Sequence, residues 1–179
     1  MTFPNSIPPS QPLQSSLENK EIFNFEEMTP DHPKWDVFVA MIVDYIVENW
    51  PEVLEKKAID EFKREYQQEL IDRIQEGGRA LFLTCADNFD IGIINAYFIK
   101  ENDEVVINVA EFGVKKEARR RGHGRSMKKL LEQWGKSNGA TMISIEVDKD
   151  QILANDFWGS FKNLILNSLG NRNLYHRKL

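Results

Sequence analysis

The period of apolar and polar positions changes several times along this chain, and each change marks an element boundary. Ile22-Phe23-Asn24-Phe25-Glu26 alternates as a short strand does, and Thr29-Pro30-Asp31-His32-Pro33 ends it in a turn. From Trp35 the positions Phe38, Val39, Ile42, Tyr45, Ile46 and Asn49 recur at helical spacing until Pro51 closes the run. A second helix over roughly 57–76 places Ala58, Phe62, Tyr66, Leu70 and Ile74 on one stripe, carries charge elsewhere, and stops at Gly77-Gly78. Ala80–Cys85 and Ile91–Phe98 then read as a hairpin with Asp87-Asn88 in its turn, and a third strand, Val105–Val114, follows Asn102-Asp103. Beyond it the period lengthens again, with Met127, Leu130, Leu131 and Trp134 on one helix face and Gly139 past its end. Met142–Val147 is a strand, 151–162 a last helix, and two short strands are expected near 163–167 and 173–179.

The resulting order, β-α-α-β-β-β-α-β-α-β-β, predicts an α/β (α+β) fold. Its mixed, mostly antiparallel sheet carries helices on both faces, and the unit 105–147 supplies one right-handed β-α-β crossover. A chain of 179 residues, 41% hydrophobic, holds one such core, here assigned to 21–179. Residues 1–20 carry Pro4, Pro8, Pro9 and Pro12 among Ser, Gln and Asn, a composition that predicts a disordered tail. One cysteine, Cys85, permits no internal disulfide and reads as a buried, inert thiol; His32, His123 and His176 are scattered, so no metal site is expected. With neither a signal peptide nor a membrane-length apolar run, the sequence predicts a cytoplasmic protein.

Charge alters the picture locally. The formal charge is −5, yet residues 115–129 hold eight Lys or Arg against one acid, Glu117, out of totals of 23 and 28. Arg119-Arg120-Arg121-Gly122-His123-Gly124-Arg125-Ser126 therefore falls where a strand hands over to a helix. Unbonded backbone N–H groups, the positive end of the helix dipole and glycines without a Cβ together make such a turn an anion site. The plainer alternative is a solvated basic loop before an ordinary helix. The third Rossmann glycine and a Walker-type Gly-Lys-Ser/Thr are both missing. Binding of nucleic acid through this stretch is disfavoured by the acidic remainder and by the lack of interleaved aromatic residues.

Arg119-Arg120-Arg121-Gly122-His123-Gly124 resembles the Arg/Gln-x-x-Gly-x-Gly/Ala signature of the GNAT superfamily of N-acetyltransferases, and Glu111–Ala118 resembles that family's cofactor strand and lead-in, with Lys116 where proline is common. Gln151-Ile152-Leu153-Ala154-Asn155-Asp156-Phe157-Trp158 is similar to the family's last-helix pattern Asn-x-x-Ala-x-x-Phe-Tyr, but Trp158 replaces the tyrosine whose hydroxyl serves the departing thiolate in many relatives. The resemblance implies transfer of an acetyl group from acetyl-CoA to a primary amine, small-molecule or peptidic, by direct attack in a ternary complex. It assigns the pyrophosphate to N–H groups across 120–126 with Ser126 adding a hydroxyl, the arginines Arg119, Arg120, Arg121 and Arg125 to nearby charge, and the pantetheine arm to the backbone of Phe112, Gly113 and Val114. Gln151 and Trp158 are assigned to the cofactor channel, and His123 to the loop rather than to catalysis. Glu111 is the implied general base, unless it faces solvent, and Glu146 on the neighbouring strand is the alternative. A module of the same fold that binds CoA without catalysis is the rival reading. The acceptor and the oligomeric state are left open, with the acidic body favouring a cationic amine.

Overall fold

The computed structural model describes residues 23–179, so the predicted tail and Ile22 lie outside the described residues. The strands are β1 Phe23–Glu27, β2 Arg79–Ala86, β3 Phe89–Glu101, β4 Glu104–Val114, β5 Met142–Asp148, β6 Ile165–Leu169 and β7 Arg172–Lys178; the helices are α1 Trp35–Asn49, α2 Ile59–Gln75, α3 His123–Ser137 and α4 Ile152–Gly159. Short 3-10 turns cover Pro51–Leu54 and Lys116–Ala118. The expected order therefore holds, with shifted bounds: β3 begins two residues earlier and ends three later than expected, α4 ends at Gly159 rather than near 162, β6 runs two residues later, β7 begins and ends one residue earlier, and the remaining elements differ by one or two residues at most. Ser160 N–H closes on the carbonyls of Asp156 and Phe157, which finishes the helix before Phe161.

The strands form one sheet in the order β1-β2-β3-β4-β5-β7-β6, antiparallel except for the β4/β5 pair. Both predicted hairpin turns have left-handed residues, Asp87 and Asn88 at φ 48° and 68° and Asn102 and Asp103 at 47° and 64°. Short polar side chains tolerate that region best after glycine.

Two apolar layers flank the sheet. On one face α1 and α2 bury Phe38, Ile42 and Leu70 against Leu81, Leu83 and Ile93. On the other, α3 and α4 pack Met127, Leu131 and Trp158 against Phe82, Ile94, Ile107 and Ile145. Gly92, in the middle of β3, is a pinch point: a Cβ there would come within 2.7 Å of the Gly113 carbonyl oxygen and 2.8 Å of both Met127 Sδ and Thr84 Oγ1. Because one of those atoms is backbone, Gly92→Ala is expected to destabilise the fold by about 1–3 kcal/mol, read from denaturant unfolding.

Two irregularities in the ladders position the site. Asn95 pairs with Glu111 but Ala96 pairs with Val109, so Ala110 is an extra residue in β4. Such a bulge reverses the alternation of the strand beyond it. Ile107 and Val109 point to the α3/α4 layer, and past the bulge Phe112 and Val114 do so as well, which turns Glu111 and Gly113 toward α1 and α2. The second irregularity is a parting of strands. β4 pairs with β5 only from Val106 to Val109, after which β5 continues beside β7 alone. The last residues of β4 thus have β3 on one edge and a wedge on the other.

Candidate active site

Backbone direction in that wedge follows from one bond. Lys115 N–H donates to the Ile91 carbonyl of β3 at 2.8 Å. Alternation then directs the N–H and C=O groups of Val114 and Phe112 away from β3, into the wedge. Val114 O is engaged there by Arg119 Nε at 2.7 Å. An extended, hydrogen-bonding ligand arm fits this edge as an added strand.

The arginine-glycine turn lies directly below. Arg120 and Gly122 adopt left-handed φ of 65° and 88°. A Cβ on Gly122 would meet nothing within 4 Å, so conformation rather than crowding requires the glycine there. Gly124 is the reverse case: its Cβ would stand 3.0 Å from the Phe157 ring. Gly122 O accepts from the N–H groups of Arg125 and Ser126, which starts α3. Among the described residues, the N–H groups of Arg120, Arg121, Gly122 and Gly124 make no hydrogen bond to the backbone. Those donors, at the positive end of a four-turn helix, suit a phosphate.

The arginines divide by what they touch. Arg119 is held internally, with Nη1 and Nη2 donating to the two carboxylate oxygens of Glu48 at 2.8 and 2.9 Å. Glu48 raises the Arg119 pKa, and Arg119 in turn holds the Glu48 carboxyl below its usual range. Arg125 lies 4.8 Å over the Phe161 ring and donates to Ser160 Oγ at 3.0 Å. Lys128, from the same basic run, is buried and paired with Glu132. Arg120, Arg121 and Ser126 are exposed along the turn. His123 is not a loop residue: it begins α3, is 4% exposed, and stacks on Phe23 at 6.2 Å. The Gln151 amide is used to tie α4 to α1, donating to Asn49 O at 3.0 Å. Trp158 is 3% exposed in an aromatic cluster with Phe112, Phe157 and Phe161.

At the head of the wedge stands Glu111. Its side chain points inward rather than to solvent, and Tyr66 on α2 donates to Oε1 at 3.0 Å. Oε2 is inaccessible to solvent and has no hydrogen-bond partner among the described residues. Burial holds the Glu111 carboxyl above its ordinary pKa, opposed by the Tyr66 hydroxyl, the Arg79 charge and the Asn95 amide. Asn95 stands opposite Glu111 in the ladder and accepts from Arg79 Nη1 at 2.7 Å. Glu146, by contrast, is exposed and paired with Arg172 at 3.0 Å. Cys85 is buried in β2; burial, then the Asp90 carboxylate 2.9 Å from its sulfur, pushes its pKa up to about 12.

Tyr45 and Tyr66, both missed as site residues by the sequence reading, close the α1/α2 side. Gly113 leaves room for Tyr45, whose Cδ2 would lie 2.7 Å from a Cβ at that position. Together with Asp44, Glu48, Val114 and Arg119, Tyr45 lines an open pocket of about 400 Å³. A signal for both tyrosines exists in the sequence: a phenol within an otherwise apolar helical stripe needs a partner for its hydroxyl.

Residues 39–161 match the model of the acetyltransferase (GNAT) family, a stretch that contains the wedge, the arginine-glycine turn and α4. The chain belongs to the GNAT acetyltransferase family. As a GNAT member it is an acyltransferase, and its mixed, mostly antiparallel sheet with flanking helices matches the fold of solved acetyltransferases. Solved structures agree in fold. The PaiA N-acetyltransferase of Thermoplasma acidophilum, in complex with coenzyme A, superposes with a TM-score of 0.68 at 14% identity, covering 88% of this chain and 99% of that one. An acetyltransferase from Streptococcus agalactiae gives 0.62 at 12% identity, over 88% and 98% of the two chains. An aminoglycoside acetyltransferase from an uncultured soil metagenomic sample, in complex with sisomicin, gives 0.61 at 17% identity, over 78% and 87%. No curated protein matches the chain.

Proposed function

We propose that this GNAT protein transfers the acetyl group of acetyl-CoA to a primary amine by direct attack within a ternary complex. The observation that carries the reading is the wedge between β4 and β5, with phosphate-directed N–H groups at its foot and a buried carboxylate at its head. Bound there, acetyl-CoA supplies a thioester, an acyl group already activated toward amines.

The chain's own groups then have separate tasks. The N–H groups of residues 120–124 and the charges of Arg120 and Arg121 hold the pyrophosphate, and the open edge of Phe112 to Val114 orients the pantetheine arm. A wedge N–H of Phe112 or Val114 polarises the acyl carbonyl. A protonated amine cannot attack, so Glu111 removes its proton through Oε2, the oxygen that Tyr66 leaves unengaged. Glu146 is the poorer base because Arg172 neutralises it in solvent. The acidic remainder of the chain favours a cationic acceptor, such as a polyamine, an aminoglycoside-like compound or a lysine side chain.

Titration calorimetry is expected to show acetyl-CoA binding, with a rise in melting temperature by mass action. A panel of amines, followed by release of free CoA thiol, is expected to identify at least one acceptor. Absence of binding at millimolar acetyl-CoA overturns the reading, and binding without thiol release for any amine replaces it with a CoA-sensing module.

A further inference from the structure

Trp158 has no proton to offer a departing thiolate, and it is sealed in the aromatic cluster. Another hydroxyl does reach the wedge. Tyr45 enters from α1 and crosses the face of β4 where Gly113 has no side chain. Glu111 and Gly113 flank Phe112, and beyond the bulge both face α1 and α2. Alternation turns the Phe112 N–H, next in sequence to that Gly113 contact, into the wedge, and the Phe112 backbone bears on the ionisation of the Tyr45 hydroxyl. The phenol therefore stands beside the donor that would hold the acyl carbonyl and one residue from the carboxylate that would take the amine proton. Its ring is braced edge-on by Trp50 at 6.0 Å, and Trp50 Nε1 reaches Asp148 Oδ2 on β5 at 3.4 Å, so both walls of the wedge fix its position.

We propose that Tyr45 is the general acid of this enzyme, taking from α1 the role that the family pattern gives to a tyrosine at position 158. This rests on the acetyl-transfer reading above. As the amine nitrogen bonds to the acetyl carbon and the carbon–sulfur bond breaks with its electron pair on sulfur, Tyr45 gives that sulfur its phenolic proton. An ammonium acceptor sheds two protons in becoming the amide: the one that Glu111 takes to free the amine is released to bulk solvent, and the one that the nitrogen loses after bonding to the acetyl carbon returns to the tyrosinate, so both side chains end in their starting states. Burial, then the nearby Glu111 charge, pushes the Tyr45 pKa up to about 12, which keeps the phenol protonated at neutral pH.

Binding separates this role from a structural one. Wild-type protein is expected to bind CoA about fivefold more tightly than desulfo-CoA, the size of one net hydrogen bond to the sulfur. Tyr45→Phe should bind both alike, with desulfo-CoA affinity unchanged. In turnover, Tyr45→Phe should lower kcat by about 10²-fold or more, with the KM for acetyl-CoA within about twofold. If the phenylalanine variant fails to fold, ring-fluorinated tyrosine at 45 is the substitute, because it keeps the shape and acidifies the phenol. The alkaline decline of kcat should then follow the tyrosinate absorbance of the folded protein. Equal CoA and desulfo-CoA binding by wild type, or a Tyr45→Phe kcat within about threefold of wild type, overturns the assignment. If wild type itself releases no CoA thiol with any amine, it is the acetyl-transfer reading that fails instead.

Discussion

Glu111→Gln is expected to lower turnover by about 10²–10⁴-fold while leaving acetyl-CoA affinity nearly unchanged. The defect should shrink as pH rises, because more of the acceptor is then free amine and needs no base. Stability is expected to move the other way. Burial raises the folded-state pKa of Glu111, so the wild-type fold binds this proton more tightly than the unfolded chain does. That contribution is fully present below the ordinary carboxylate pKa and is lost as pH climbs through the raised folded value. Above that raised value wild type carries a buried charge that glutamine lacks, while the amide oxygen can still accept from Tyr66. Glu111→Gln should melt at the same temperature as wild type or higher at pH 7, with the difference vanishing in acid. Parallel pH–rate and pH–melting curves, with Glu146→Gln alongside, decide the matter. A wild-type rate profile for Glu111→Gln with a defect in Glu146→Gln would move the base to β5.

The second large effect is expected at Gly124. Gly124→Val should raise the acetyl-CoA Kd by at least about tenfold, the equivalent of 1.4 kcal/mol, whereas Arg121→Ala should change it only a few-fold. The glycine is pressed between the turn and the Phe157 ring, which itself stacks on Phe112 at 5.7 Å. A branched side chain must either push that ring into the wedge or lift the start of α3, and each outcome disturbs the cofactor's place. Arg121 is exposed and shares its task with Arg120 and the backbone N–H groups. Calorimetry on both variants, with melting curves to confirm folding, is the measurement; equal small effects would mean that the cradle lies elsewhere.

Much of this was legible in the sequence because it is local. The Asp87-Asn88 and Asn102-Asp103 turns, the Gly77-Gly78 stop and the lengthening of the period after Val114 each depend on a few neighbouring residues. The arginine-glycine turn was legible for the same reason, since glycine conformation and helix-end donors are properties of a short segment. What escaped depends on partners distant in sequence. Arg119 counts as ligand charge until Glu48, 71 positions away, claims it. Lys128 reads as one more charge of the basic run until the Phe161 ring lies under it, and His123 as a loop residue until Phe23 stacks on it. Tyr45 and Tyr66 pass for ordinary stripe residues, because the groups that their hydroxyls meet belong to β4.

The extra residue at Ala110 makes the chemistry of β4 a matter of counting as much as of composition. Remove that one residue, and the tail of the strand rotates by half a turn: the carboxylate would face the aromatic layer, and Phe112 would face α1. Two chains could carry the same glutamate, phenylalanine and glycine in the same order and still differ in function by a single deletion upstream. A residue-by-residue comparison that allows a gap at 110 would score them as equivalent although their two faces had been exchanged.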